Sequence, residues 1–438
     1  VTLGVAPRAR IRRDSHTQRP HLPWALGVAE GLARGAATVD EAAARAELEA
    51  RLPALRDALL GSPYYVRVLR ESGLHPGDLR RLEDLRHFPA LDRATLARHW
   101  EDVPTLPAAS DECVVVRSSG TTGDPVNVLR DRRDCLLMWA VLRFFTGRAN
   151  AAPPPRPRVV LLDALPGGLE YSVRLPLFHD GALHRVSVLR DDAVARLRRV
   201  KASVVFSDPE GLRWLLAHPE VPSPRLVLTS AQHLPHALRD AWRQERGAPV
   251  LNYYAATETG PLAWECLDDA NRGRFHVLTP DVWLEPDGDE VVVTRLRPSV
   301  LPLLRYRPGD TGTVRRDACA CGFHGWTLTG FGGRGACAFH TPGGRAVDAW
   351  SLAWVFKHHP LRAFRLTQVA LERFTLELSG APADSVAALC ERLTAALRNL
   401  GWAAPRVEAA LVMEARGAQG LAAPAKPLPF RCELPLQG

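Results

Sequence analysis

Apolar and polar positions follow three rhythms along this chain. From Val39 to Leu60, Ala and Leu recur at three- and four-residue spacings with Glu and Arg between them, which predicts a helix. Asp40 and Glu41 stand in its first turn, where the helix dipole favours acids. Further helices are expected around Tyr64 to Ser72 and from Arg93, after Leu82 to Leu85 and Pro89-Ala90-Leu91-Asp92. Residues 1 to about 22 lack such a pattern and read as poorly ordered. The first hundred residues are therefore a helical lead-in.

From Cys113 the rhythm alternates. Strand-like runs at Val114 to Val116, Val159 to Leu162, Ser203 to Phe206, Leu226 to Thr229 and Val250 to Tyr254 are separated by helical patterns. Those patterns cover Asp134 to Phe145, Asp191 to Arg199, Glu210 to Ala217 and His236 to Arg246. Such alternation predicts an α/β fold with a mainly parallel sheet flanked by helices, and ligands beyond the carboxyl ends of its strands. After about residue 275 the period is that of β-structure, with Val282 to Glu285, a turn at Pro286 to Asp289 and Glu290 to Thr294 as a hairpin or small barrel. The last hundred residues combine a strand at Gln368 to Leu378 with a helix at Ser385 to Leu397, as a small α+β domain. The expected division is a large domain over 1–330, a hinge at 331–336 beside a glycine-rich stretch, and a small mobile domain over 337–438.

Composition narrows the class. A net charge of +8 could favour nucleic acid, but the basic residues are spread evenly, without a dense block or interleaved aromatics. No stretch approaches 18 uncharged apolar residues and the first 20 lack a signal-like core, so no membrane association is expected. Eight scattered cysteines in 438 residues suit a cytoplasmic enzyme with reduced thiols. Of 56 basic residues only Lys201, Lys357 and Lys426 are lysine. Where Arg has replaced Lys almost everywhere, a surviving Lys is a candidate for work needing a compact point charge.

Three stretches carry chemistry. In Arg117 to Val126, Ser118, Ser119, Thr121 and Thr122 stand beside Gly120 and Gly123, after an apolar run. Glycines let a ligand approach the backbone, and consecutive N–H groups with hydroxyls suit phosphate; the alternative is a solvated turn. No lysine follows, so this is not the usual P-loop. Tyr253 to Gly260 brings two aromatics, Thr257 and Glu258 to the end of a strand, as a stacking and Mg²⁺ site or as core tyrosines with a solvated acid. Leu304 to Gly312 sets Asp310 in a Pro-Gly turn, where an acid can hold ribose hydroxyls or simply make the turn.

In this order and spacing, Ser118 to Pro125, Tyr254 to Glu258 and Arg305 to Asp310 followed by Gly333-Arg334 resemble the adenylate-forming superfamily. The branch resembled is that of phenylacetate–coenzyme A ligase, which Ser62 to Arg67 and Pro89-Ala90-Leu91 also resemble. The resemblance implies ATP-dependent activation of a carboxylic acid, expected to be an aryl acid, as an acyl-adenylate, then transfer to a thiol such as coenzyme A. It implies that Ser118, Ser119, Gly120, Thr121, Thr122 and Gly123 cradle the β- and γ-phosphates. Tyr254 would stack on adenine, beside Ser230 and Ala231. Thr257 would contact the α-phosphate, Glu258 would hold Mg²⁺, and Asp310 would bind ribose, with Arg334 near it or at the hinge. The family's catalytic lysine lies near the C-terminus, which assigns Lys426 to the attacking carboxylate and the α-phosphate.

Cys266, His276, Cys319 and Cys321 form a Cys₃His set suited to a closed structural Zn²⁺ site, as in some members of the branch; His324 could replace His276, or the thiols could be free. The sequence also departs from the family. Val126 and Asn127 stand where many relatives have a lysine, and Gly333 to Cys337 lacks the hinge acid or lysine. The acceptor is thus left open among coenzyme A, a carrier-protein thiol and an amine. Homodimerisation and a non-catalytic nucleotide-binding regulator on the same fold stay open too. Candidate acyl-pocket residues are Phe145, Tyr171, Phe178, His179 and Tyr253.

Overall fold

The lead-in begins earlier than its pattern suggests. In the computed structural model, which describes residues 22–105, 113–118, 126–151, 154, 156–163, 171–175, 181–333, 337–356, 361, 363–412 and 430–434, helix α1 spans Leu22–Ala37. Gly27, Gly31 and Gly35 weaken the local helical signal. Tertiary packing overrides it: a Cβ at Gly35 would lie 2.6 Å from the Thr279 carbonyl oxygen, so a close approach needs that glycine. The single helix expected over Val39 to Leu60 is two, α2 (Glu41–Glu49) and α3 (Leu52–Gly61), broken at Ala50-Arg51 ahead of Pro53. Helix α4 (Pro63–Glu71) follows, with the Ser62 hydroxyl accepting from the Tyr65 N–H at its N-cap and donating to Val103 O at 2.7 Å. Strand β1 (Leu91–Asp92) then leads directly into α5 (Arg93–Arg98).

The strand that leads into Ser118 is not part of the parallel sheet. β2 (Val114–Arg117) pairs antiparallel with β3 (Asn127–Arg130) as a separate two-stranded ribbon. Val114 and Val115 are exposed, so its apolar run is not a core signal. Helix α6 (Arg132–Arg148) follows, capped by Asp131, which accepts from the Asp134 N–H at 2.8 Å.

The expected alternation then holds: β4 (Arg158–Asp163), β5 (Ser172–Leu175), β6 (Gly181–Ser187), α7 (Ala193–Val200), β7 (Val204–Ser207), α8 (Pro209–Ala217), β8 (Leu226–Thr229), α9 (His236–Arg246) and β9 (Val250–Ala256). In the order β6-β4-β7-β8-β9 every neighbour pair is parallel, with β5 antiparallel on the outer edge. Both faces are buried. Val159, Val204, Leu226 and Leu251 pack with α1 and α6; Val160, Val205, Val227 and Val250 pack with α7, α8 and α9. Strands covered on both sides read as continuous apolar runs.

At β9 the sheet changes sense. β10 (Gly260–Glu265), β11 (Phe275–Val277), β12 (Val282–Asp287), β13 (Glu290–Arg295), β15 (Thr311–Arg316) and β16 (Trp326–Gly333) continue it antiparallel, with short β14 (Tyr306–Arg307) beside β13. β1 completes that edge by pairing parallel with β14, Leu91 opposite Tyr306. Arg305, at φ 46°, ties this junction to the lead-in through Glu285 and the Phe88 carbonyl. The described C-terminal part comprises β17 (Ala338–His340), β18 (Ala346–Asp348), α10 (Ala353–Phe356), β19 (Ala363–Ala370), β20 (Arg373–Ser379), α11 (Val386–Asn399), β21 (Arg406–Leu411) and β22 (Phe430–Cys432). The strand expected over Gln368 to Leu378 is a tight hairpin instead, β19 and β20, within a sheet ordered β21-β20-β19-β22. Its own core centres on Phe339, Leu366, Phe374, Leu393 and Trp402.

Candidate active site and metal cluster

The parallel strands β8 and β9 end side by side, as the Thr229–Asn252 register shows. Ser230 and Ala231 follow β8; Ala231 is exposed and takes the left-handed φ of 73°. The Ser230 hydroxyl bonds the Tyr253 phenol, whose titration burial pushes up. After β9, Thr257-Glu258-Thr259 forms a tight turn into β10, with Gly260 at φ 73°.

Arginines hold that turn from below. Arg130 donates to Thr257 O at 2.7 Å, Arg295 to Glu258 O, and Arg297 to Thr259 O at 3.0 Å. Arg295 and Arg297 are buried and meet Asp134 at 3.3 and 3.9 Å. Ser299 donates to the other Asp134 oxygen at 2.8 Å. Burial pushes the Arg295 guanidinium down to about 9, with Arg297 adding to the effect and Asp134 opposing it. Three successive carbonyls are thus fixed, which fixes where Thr257 and Glu258 point.

The Glu258 carboxylate is buried at 2% exposure and pairs with Arg93 Nη1. Arg93 Nη2 donates to Ser118 Oγ at 2.8 Å. That same oxygen accepts from the Val126 N–H at 2.8 Å, closing the base of the loop between β2 and β3. Ser118 and Glu258, from two motifs far apart in sequence, therefore share one guanidinium. Ser119, Gly120, Thr121, Thr122 and Gly123 lie outside the described residues, as do Arg334 and Lys426.

The third motif joins the same end of the sheet. Tyr254 donates from its hydroxyl to Asp310 Oδ2 at 2.6 Å. Its ring packs on Phe331, with centroids 4.4 Å apart. The positive φ of 85° at Gly309 makes the turn that delivers Asp310, whose carbonyl accepts from the Val291 N–H at 2.8 Å.

Sequence reading found the acid, the hydroxyls and the aromatic but missed Asp134, Arg93, Arg130, Arg295 and Arg297. A signal existed for two of them. Arg295 and Arg297 end the apolar run Val291 to Leu296, where a charge must be buried and paired. Arg93 carried no local signal. Of the acyl-pocket candidates, Phe145 is fully buried, and its ring lies 5.6 Å from that of Tyr253 in a shared core. Tyr171 packs on the same core, and Phe178 and His179 lie outside the described residues.

A second cluster lies on adjacent strands of the antiparallel half. Cys266 follows β10, His276 stands in β11, and Cys319 and Cys321 come from the turn before β16, which pairs with β11. One ligand atom from each lies within 4.8 Å of the others. Cys266 and Cys319 sulfurs are 3.7 Å apart, and Cys321 Sγ is 3.4 Å from His276 Nε2. Gly322 at φ 83° allows the knuckle, closed by Cys319 N–H donating to Phe323 O at 2.8 Å. His324 is not a member of this cluster. Burial pushes the Cys266 thiol up to about 12 and, with Arg148 and Arg274 adding to it, His276 down to about 3. Arg148 donates to Cys321 O at 3.2 Å and lies over the Trp264 ring.

Residues 66–282 match the family described as AMP-binding enzyme. The phenylacetate-coenzyme A ligase of Thermus thermophilus is 28% identical over 286 residues, 59% of this chain and 63% of that protein. The Escherichia coli enzyme of the same name is 27% identical over 293 residues, 60% of this chain and 67% of that protein. The matched part thus spans about two thirds of these curated relatives, and slightly less of the first. Among solved structures, a 2-hydroxyisobutyryl-CoA ligase bound to 2-HIB-AMP and CoA gives a TM-score of 0.54 at 17% identity, covering 90% of this chain and 91% of that one. The same ligase in its postadenylation state also gives 0.54, at 18% identity over 83% and 85%. Together with Ser118, Glu258 and Asp310 at one end of the sheet, these matches identify residues 66–282 as an AMP-binding enzyme domain and make the chain similar to phenylacetate-coenzyme A ligases over about 60% of its length.

Proposed function

We propose that this protein uses ATP to activate a carboxylic acid, an aryl acid by similarity to the named relatives, and passes the acyl group to a thiol such as coenzyme A. The observation that carries this reading is the Arg93 bridge between Ser118 and Glu258, which brings the first residue of the Ser118–Gly123 motif and the acid together. In the first step a carboxylate oxygen attacks the α-phosphorus and the bond to pyrophosphate breaks. In the second, a thiol sulfur attacks the acyl carbon, the bond to AMP breaks, and the thiol proton leaves to solvent. Thr257 would steady the α-phosphate. Tyr254 would release Asp310 to the ribose hydroxyls and offer its ring to adenine. Lys426 would bridge carboxylate and α-phosphate. The work is positioning and charge neutralisation rather than covalent catalysis.

Two metals fit the residues present. Glu258 is a buried carboxylate at the phosphate end and would hold Mg²⁺, which neutralises charge on the polyphosphate. Cys266, His276, Cys319 and Cys321 converge as a closed Cys₃His donor set and would hold a structural Zn²⁺. Their task is to lock β10, β11 and β16 together.

Carboxylate-dependent exchange of labelled pyrophosphate into ATP, over a panel of aryl and short acyl acids, tests the first step. No exchange with any of them removes the reading. Thioester formation with coenzyme A tests the second. The altered stretch Gly333 to Cys337 favours a second reading, transfer to a carrier-protein thiol or an amine. Lys426→Ala separates catalyst from regulator: a catalyst loses exchange but keeps ATP binding, whereas a regulator loses neither.

A further inference from the structure

Arg93 stands where three parts of the chain meet. It is the first residue of α5, directly after β1, whose pairing with Tyr306–Arg307 fixes its backbone. Asp92 caps the helix by accepting from the Thr95 N–H at 2.7 Å. The Arg93 side chain is 15% exposed and bridges Glu258 and the Ser118 hydroxyl. The other cations at this turn are differently engaged: Arg130, Arg295 and Arg297 hold backbone carbonyls. Among the described residues, Arg93 is the cation paired with the Glu258 carboxylate.

Resting on the adenylation reading, we propose that Arg93 is the triphosphate-binding cation of this site. It stands in for the lysine that Val126 and Asn127 replace, and neutralises Glu258 while no nucleotide is bound. A carboxylate buried as deeply as Glu258 requires a counter-ion. A divalent cation held by Glu258 would repel the Arg93 guanidinium from that carboxylate. Its other contact, Ser118, opens the motif read as phosphate-binding, so the β- and γ-phosphates would be its next anionic partners. A planar guanidinium fork suits two phosphate oxygens better than an ammonium does. Arg93 thus exchanges one anion for another, and Glu258 is never left unpaired.

The test is calorimetric titration of the full chain with ATP and with AMP, in EDTA and in Mg²⁺, for the wild type, Arg93→Gln and Arg93→Lys. In EDTA, Arg93→Gln is expected to weaken ATP binding by about 10- to 100-fold, the loss of a charge-assisted pair. AMP, which lacks the β- and γ-phosphates, should bind unchanged within about twofold, which also shows that the variant is folded. Arg93→Lys should recover part of the ATP affinity. The Mg²⁺ concentration that half-saturates exchange should fall in Arg93→Gln, because Glu258 loses its competitor; a purely structural role cannot produce that sign. Equal losses for ATP and AMP, or no loss for ATP, overturn the proposal while leaving adenylation intact. A wild type that binds neither nucleotide removes the adenylation reading and this proposal together.

Discussion

The two buried side-chain clusters of this protein solve opposite problems. In the Cys₃His cluster, burial pushes the Cys266 and Cys321 thiols up and the His276 imidazole down, and Arg148 reaches the Cys321 sulfur at 3.9 Å. In the Glu258 cluster the buried acids are paired with arginines: Glu258 with Arg93, and Asp134 with Arg295 and Arg297. Under the proposed function, a cation would complete the first, whereas a nucleotide would open the second by drawing Arg93 off Glu258.

The largest expected effect tests the first half of that contrast. Cys319→Ser should reduce zinc content, read by elemental analysis, from about one per chain to near none, and destabilise the protein by on the order of 5 kcal/mol. A wild type purified without bound metal breaks the contrast outright. Next is Asp134→Ala, which leaves two buried guanidinium groups without this anion. Denaturant unfolding should show a loss of about 3–5 kcal/mol, as when one partner of a buried pair is removed. An unchanged midpoint means the arginines under the turn are not structural. Glu258→Gln should slow pyrophosphate exchange by about 100-fold while shifting the unfolding midpoint far less than Cys319→Ser, which separates the working cluster from the structural one. The smallest effect is expected for Tyr254→Phe. Losing its hydrogen bond to Asp310 should cost about 1 kcal/mol of stability by denaturant unfolding. A loss as large as that of Asp134→Ala would place Asp310 inside the Glu258 cluster rather than beside it.

What the sequence made legible follows the range of the forces involved. β7, β8 and β9 are short apolar runs between amphipathic helices, and their burial on both faces is written locally. The ordered motifs fixed Ser118, Glu258 and Asp310, and the structure brings them to one end of the sheet. The cysteine set was legible because Cys-x-Cys and a distant Cys/His pair offer a recognisable donor chemistry. The lead-in was read as helical, yet β1 within it joins the large sheet through a partner much later in the chain. Arg93 was invisible because one arginine among 53 looks like any other. The ribbon β2–β3 misled for a different reason: Val114 to Val116 has strand composition, but nothing local says that its faces meet solvent.

The long reach of Arg93 has a consequence for how the protein is made. It and Glu258 are 165 residues apart, so at ribosomal rates of 5–20 residues per second the arginine emerges roughly 8 to 33 seconds before its acid. During that interval β1 has no strand to pair with and the guanidinium has no counter-ion. The Arg93–Glu258 pair and the β1–β14 pairing therefore form late in synthesis, once the hairpin of β9 and β10 and then β14 leave the exit tunnel. A nascent chain stalled before Glu258 would carry Arg93 and Ser118 without the acid that completes their bridge.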